Sequence, residues 1–128
     1  MSAMSDYLEN EILDHILRNA AYTPASTVYI GLSTGSFADG NSGTELSGSA
    51  YARQSIAFDA ASGGTTDNTS AIDFPTATGS WGTVSHWGLF DAATSGNLLI
   101  HGAFSASKTV ASGDILRIAA GELDITAA

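Results

Sequence analysis

The chain has 128 residues, no Cys, and 13 acidic residues against four basic ones, for a net charge of -9. That length suits a single domain, taken as residues 1–128, and buries a core without staples. The absence of Cys excludes disulfides, thiolate zinc sites and Cys nucleophiles. The four cations, Arg18, Arg53, Lys108 and Arg117, are scattered, so there is no basic patch for direct nucleic-acid binding.

Charged residues make up 13% of the chain, about half the usual share. Ala, Gly, Ser and Thr fill the gap, a composition that suits short strands, tight turns and surfaces that meet other protein. The N-terminal stretch mixes acids with its apolar residues and does not read as a signal peptide. No apolar run approaches the ~20 residues of a membrane span. The expectation is a soluble chain with no membrane contact, made in a cytoplasm.

Residues 5–19 read as the one helix. Leu8, Ile12, Leu13, Ile16 and Leu17 recur at helical spacing. Ser5 or Asp6 can cap the start, Asp6 and Glu9 have capping-box spacing, and Asn19 then Pro24 mark the end. The helix either packs on the domain's own sheet or docks on a neighbouring subunit. Leu8, Ile12 and Ile16 are the candidate contact residues.

A first strand is predicted over Thr27–Ser33, with Val28, Ile30 and Leu32 on one face. The Gly- and Ser-rich stretch Gly35–Ser49 reads as a long loop, either a contact arm or simply disordered, with Phe37 and Asp39 as candidate contacts. Further strands are expected over Tyr51–Ala57, Ala71–Phe74, Thr83–Phe90, Asn97–Phe104, Ile115–Ala119 and Leu123–Thr126, and Val110–Ala111 begins another. Ala60–Ser70 reads as a turn region with Gly63–Gly64 at its tip. About seven short strands after one helix, without βαβ alternation, give a mainly β fold: an antiparallel, jelly-roll-like β-sandwich over 27–126.

Motifs for chemistry are weak. If Phe90 pairs with Asn97, His86 falls opposite His101, the best metal pair, but no third ligand is evident. There is no GxSxG elbow and no phosphate-loop Lys. Asp39–Glu45 lacks the spacing of an EF-hand loop. Asp59, Asp67, Asp73 and Asp91 fall mostly in loops, where acids ordinarily face water. No catalytic, cofactor or metal residue is assigned. Trp81 and Trp87 read as core packing, with an interface anchor or a carbohydrate platform as alternatives, and Trp81, after a loop, as the rim residue where a partner binds.

Several segments in order resemble a known family. They are Tyr51–Ala52–Arg53, Phe74–Pro75, Trp81–Gly82–Thr83–Val84, His86, Gly88–Leu89–Phe90–Asp91–Ala92, Gly96–Asn97–Leu98, and the closing Gly113–Asp114 with Ala120–Gly121. Over residues 5–126 the chain resembles small tailed-bacteriophage structural proteins, commonly labelled tail-fibre or minor structural proteins. The resemblance implies a virion component and not an enzyme. Its partners would be other virion proteins, the major capsid protein or tail proteins. It leaves two roles open: a head-decoration (cement) protein, by analogy a homo-oligomeric trimer, which is the leading expectation, or a tail-fibre, tail-tip or adaptor component.

Overall fold

The computed structural model describes residues 2–40 and 43–127. Met1, Asn41, Ser42 and Ala128 lie outside the described residues, and with them the ends of the expected 1–128 domain and part of the expected 35–49 loop. The fold is mainly β with one N-terminal helix, as the spacing predicts. Among the described residues nine strands form where about seven were expected: β1 (Ser2–Met4), β2 (Val28–Ser33), β3 (Gln54–Ile56), β4 (Thr65–Asp67), β5 (Ile72–Asp73), β6 (Gly82–Phe90), β7 (Leu98–Val110), β8 (Arg117–Ile118) and β9 (Asp124–Thr126), with helix α1 at Asp6–Leu17. Five of them make an antiparallel sheet in the order β1-β7-β6-β2-β3. Two antiparallel ribbons, β4-β9 and β5-β8, supply the second layer.

The core lies between these layers. Ile30 and Leu32 of β2 pair across to Leu89 and Trp87 of β6, and all four are buried. They share one cluster with Ile72, Phe74, Leu116 and Ile118 from the β5-β8 side and with Leu123 and Ile125 at β9. Strand alternation would turn either Val84 or Trp87 outward, because they are three apart. A register shift between Val84 and His86 lets both point inward. Buried Asn68 ties the ribbons together: its amide nitrogen donates to the Ser70 and Ala119 carbonyls, and its oxygen accepts from the Leu123 N–H at 2.9 Å.

Three expectations change. The stretch 60–70 contains β4, whose polar Thr65–Thr66–Asp67 carries no strand signal of its own and is placed by pairing with β9. Val110 ends β7 and does not begin a new strand. Trp81 is a core residue, 6% exposed, and not a rim residue. Its indole N–H donates to the Ser49 carbonyl at 3.0 Å, and its ring meets Tyr51 and Phe74 edge-on.

The described parts of the 35–49 loop, expected to be a contact arm or disordered, cover the outer face of the β2-β6-β7 sheet. Gly31 and Gly88 sit opposite each other on this face. A Cβ on Gly31 would lie 2.7 Å from the Glu45 carboxylate, and one on Gly88 would lie 2.9 Å from Leu98. These two glycines make a flat floor. Phe37 packs there edge-to-face against Phe90 beside Leu98. Because β3 pairs only as far as Ile30, the outer edge of β2 beyond it needs other partners. The loop supplies them: the Leu32 N–H donates to the Tyr51 hydroxyl at 2.9 Å, and the Leu46 N–H donates to the Leu32 carbonyl.

Arg53 locks this layer. Its guanidinium donates twice to the Glu45 carboxylate, at 2.8 Å each, and to the Ala92 and Ser95 carbonyls. It lies 3.6 Å from the Phe90 ring centroid. The Tyr51 hydroxyl donates to Glu45 at 2.6 Å. Burial, then the hydrogen bond to Glu45, push the Tyr51 hydroxyl well above the ordinary phenol range, so it stays a donor.

Removing Arg53 strands a partly buried carboxylate and two carbonyls together. Arg53→Ala is expected to destabilise the fold by about 3 kcal/mol, the low end for a broken buried pair because Glu45 keeps some solvent. Chemical denaturation followed by Trp fluorescence measures this, and a cost near zero would show the network to be dispensable.

Candidate functional site

The metal and catalytic candidates do not converge. His86 pairs with Ala103 and His101 with Gly88, so the two imidazoles are not opposite each other. The predicted register is off by two residues: Phe90 pairs with Leu98 and not Asn97, and β7 then carries an extra residue, Leu99, between its pairs with Phe90 and Leu89. His101 instead bonds Asp39 through Nε2 at 2.6 Å, and His86 bonds Ser85. Among the described residues no group of three or more His, Asp or Glu is placed to hold a metal ion. No helix among them is long and apolar enough to cross a membrane.

The six interface candidates divide by burial. Leu8, Phe37 and Trp81 are buried within the chain. Asp39 is exposed, but His101 holds its side chain and its carbonyl accepts the Asp6 N–H, the first of α1. Ile12 and Ile16 are exposed, and they have company the candidate list did not include. Exposure runs 38% at Ile12, 54% at Leu13, 69% at Ile16 and 75% at Leu17.

Geometry explains this exposure. Ser5 is the N-cap and is fully buried: its hydroxyl accepts the Leu8 N–H at 3.2 Å and donates to the Leu98 carbonyl. Its own N–H donates to the Leu99 carbonyl. These bonds, with buried Leu8, fix the first turn of α1 against β7. At 3.6 residues per turn, Tyr7, Glu11 and Asp14 then fall on the inner side and are partly covered. Ile12, Leu13, Ile16 and Leu17 fall on the opposite side and face water. The helix is amphipathic but sits with most of its apolar face outward. Asp6 and Glu9 border the N-terminal end of that face, and both are exposed. At the C-terminal end, Asn19 takes a positive φ of 55 and the Tyr22 N–H donates to His15 Nδ1, turning the chain away.

A contiguous outward apolar face is uncommon on an isolated chain and marks a surface that meets something. Helix α1 does pack on its own sheet, against β7, but through its first turn, and only Leu8 of it is buried.

A second surface is electrostatically tense. Asp67 and Asp124 are direct cross-strand partners, and Asp59 lines the same groove. Partial desolvation first, then hydrogen bonding with Asp59 and the charges of Asp59 and Asp124, raise the Asp67 carboxyl above its ordinary range. A raised folded-state value means protonation favours the fold, so stability is lost as pH rises through that range. Asp67→Asn is expected to raise the melting temperature at pH 7, and the gain should fade as the pH falls into the acid range where the native carboxyl is protonated. Ser5→Ala, which removes both the cap and the bond to β7, should lower stability by about 1–2 kcal/mol in denaturant melts.

No curated protein matches the chain. A family model described as "Podophage GP4 fiber I protein gp80" matches residues 3–126, a range that takes in α1, every strand from β2 to β9 and most of β1. The match covers nearly the whole sequence, so the chain belongs to this podophage fiber I protein family and is a phage structural protein.

Proposed function

We propose that this protein is a non-enzymatic component of a tailed-phage fibre, held to its neighbours in the virion by the outward apolar face of α1. The family match over residues 3–126 supports the fibre role. The observation that carries the docking role is the exposure of Ile12, Leu13, Ile16 and Leu17 on a helix whose first turn is pinned to the sheet. The sheet and its locked loop layer form a stiff body, and α1 presents a preformed apolar ridge from it. A rigid ridge loses little conformational entropy on docking. Several such weak contacts, repeated along an assembly, hold firmly.

Capsid decoration is the second reading. The 128 residues carry no shaft-like repeat, and a net charge of -9 suits a protein that coats a surface at high copy number. On that reading the protein is a cement trimer bridging capsid subunits. The two roles differ in copy number and place. Quantitative mass spectrometry of purified virions, with immunogold labelling, should find a few copies at the tail for a fibre. Many copies spread over the head would overturn the fibre reading in favour of decoration.

The docking face has its own test. The double variant Ile16→Gln, Leu17→Gln keeps helix propensity and touches no buried group. It is expected to change stability by less than about 0.5 kcal/mol and to prevent incorporation into virions. Normal incorporation of this variant would show that α1 is not the attachment element.

A further inference from the structure

The charge pattern narrows what covers α1. All four cations of the chain are held by its own acids: Arg18 by Asp14 at 3.2 Å, Arg53 by Glu45 at 2.8 Å, Lys108 by Glu122 at 3.0 Å and Arg117 by Asp73 at 3.3 Å. Asp6 and Glu9, at the N-terminal end of the outward face, have no Lys or Arg partner among the described residues. A second copy of this chain would bring apolar surface to the face and, packed antiparallel, the exposed Arg18, but α1 with its C-cap holds Asp6, Glu9, Glu11 and Asp14 against that one Arg, so acids stay in excess in either orientation. Parallel packing of copies would set Asp6 and Glu9 against their own equivalents, and like charges in contact are unfavourable.

We infer that the outward face of α1 seats in an apolar groove of a different virion protein, one that places Lys or Arg side chains against Asp6 and Glu9. The inference rests on the reading of α1 as the docking element. The mode is helix-in-groove, with Ile12, Leu13, Ile16 and Leu17 as anchors. The acidic pair sets direction: it puts the N-terminal end of the helix at the basic end of the groove. Apolar anchors then supply affinity, and the charges supply orientation and discrimination against self-association.

The test uses virions that lack this protein and the purified full chain. Wild type is titrated onto them at low and high salt. So are Ile16→Gln with Leu17→Gln, and Asp6→Asn with Glu9→Gln. The apolar double variant should lose binding by at least about a hundredfold, as for truncated hot-spot anchors. The charge-neutral double variant should bind about tenfold more weakly at low salt and converge with wild type at high salt, where screening removes the difference. If the apolar variant fails to bind but the neutral variant matches wild type at every salt, docking through α1 stands and the basic partner is overturned. If both variants bind as wild type, the docking reading itself falls. Photo-cross-linking from position 13 in assembled virions reads the occupant directly. A link to another virion protein beside a Lys or Arg supports the inference, and a link to a second copy of this chain overturns it.

Discussion

Most of the outer layer of this protein depends on one guanidinium. Arg53 joins three segments that are far apart in sequence: the covering loop through Glu45, the turn between β6 and β7 through the Ala92 and Ser95 carbonyls, and the sheet through the face of Phe90. A Lys could not substitute. The planar fork meets the Glu45 carboxylate with two parallel bonds while its flat face covers an aromatic ring. The remaining oxygen capacity of Glu45 is taken by the Tyr51 hydroxyl, which also accepts the Leu32 N–H. The network therefore closes on the backbone of β2. Among the described residues no buried side-chain polar atom lacks a partner.

That closure depends on two missing side chains. Gly31 and Gly88 let Glu45, Tyr51, Phe37 and Leu98 come down onto the sheet. Asp91 completes the arrangement by accepting from the Asn97 backbone and amide, at 2.7 and 3.0 Å, which shapes the turn whose carbonyls Arg53 reaches. The segments that carry the family resemblance, Tyr51–Arg53, Gly88–Ala92 and Gly96–Leu98, thus meet around one side chain. Their motif character follows from packing and hydrogen-bond geometry on the sheet's outer face.

The helix shows the opposite economy. Its first turn is over-determined, with Ser5 buried and bonded at both its hydroxyl and its N–H, while its last two turns leave four large aliphatic residues in water. Local stability does not explain the outward apolar face, because a polar face outward would serve the isolated chain better. The proposed docking accounts for it, because an external surface would then cover that face. On that proposal the chain, whose four cations all pair with its own acids, offers its partner an acidic end and an apolar ridge.

The amino-acid pattern by itself determined the fold class, the helix within the expected 5–19, formed at Asp6–Leu17, and the places of the longer strands. Period-3.6 and period-2 spacing of Leu, Ile and Val are local properties that survive any tertiary arrangement. It also carried the family, because motif order is a property of sequence. Strand β4, the β6-β7 register and the positions of Trp81 and Phe37 were not legible. Each depends on a partner distant in the chain: β9 for the polar β4, the Phe90–Leu98 pairing and an extra residue on β7 for the register, and the glycine floor for Phe37. Periodicity showed that α1 has an apolar side, but not which way that side turns. The tertiary structure decided that, because the bonds of Ser5 to β7 fix the rotation of the helix about its own axis.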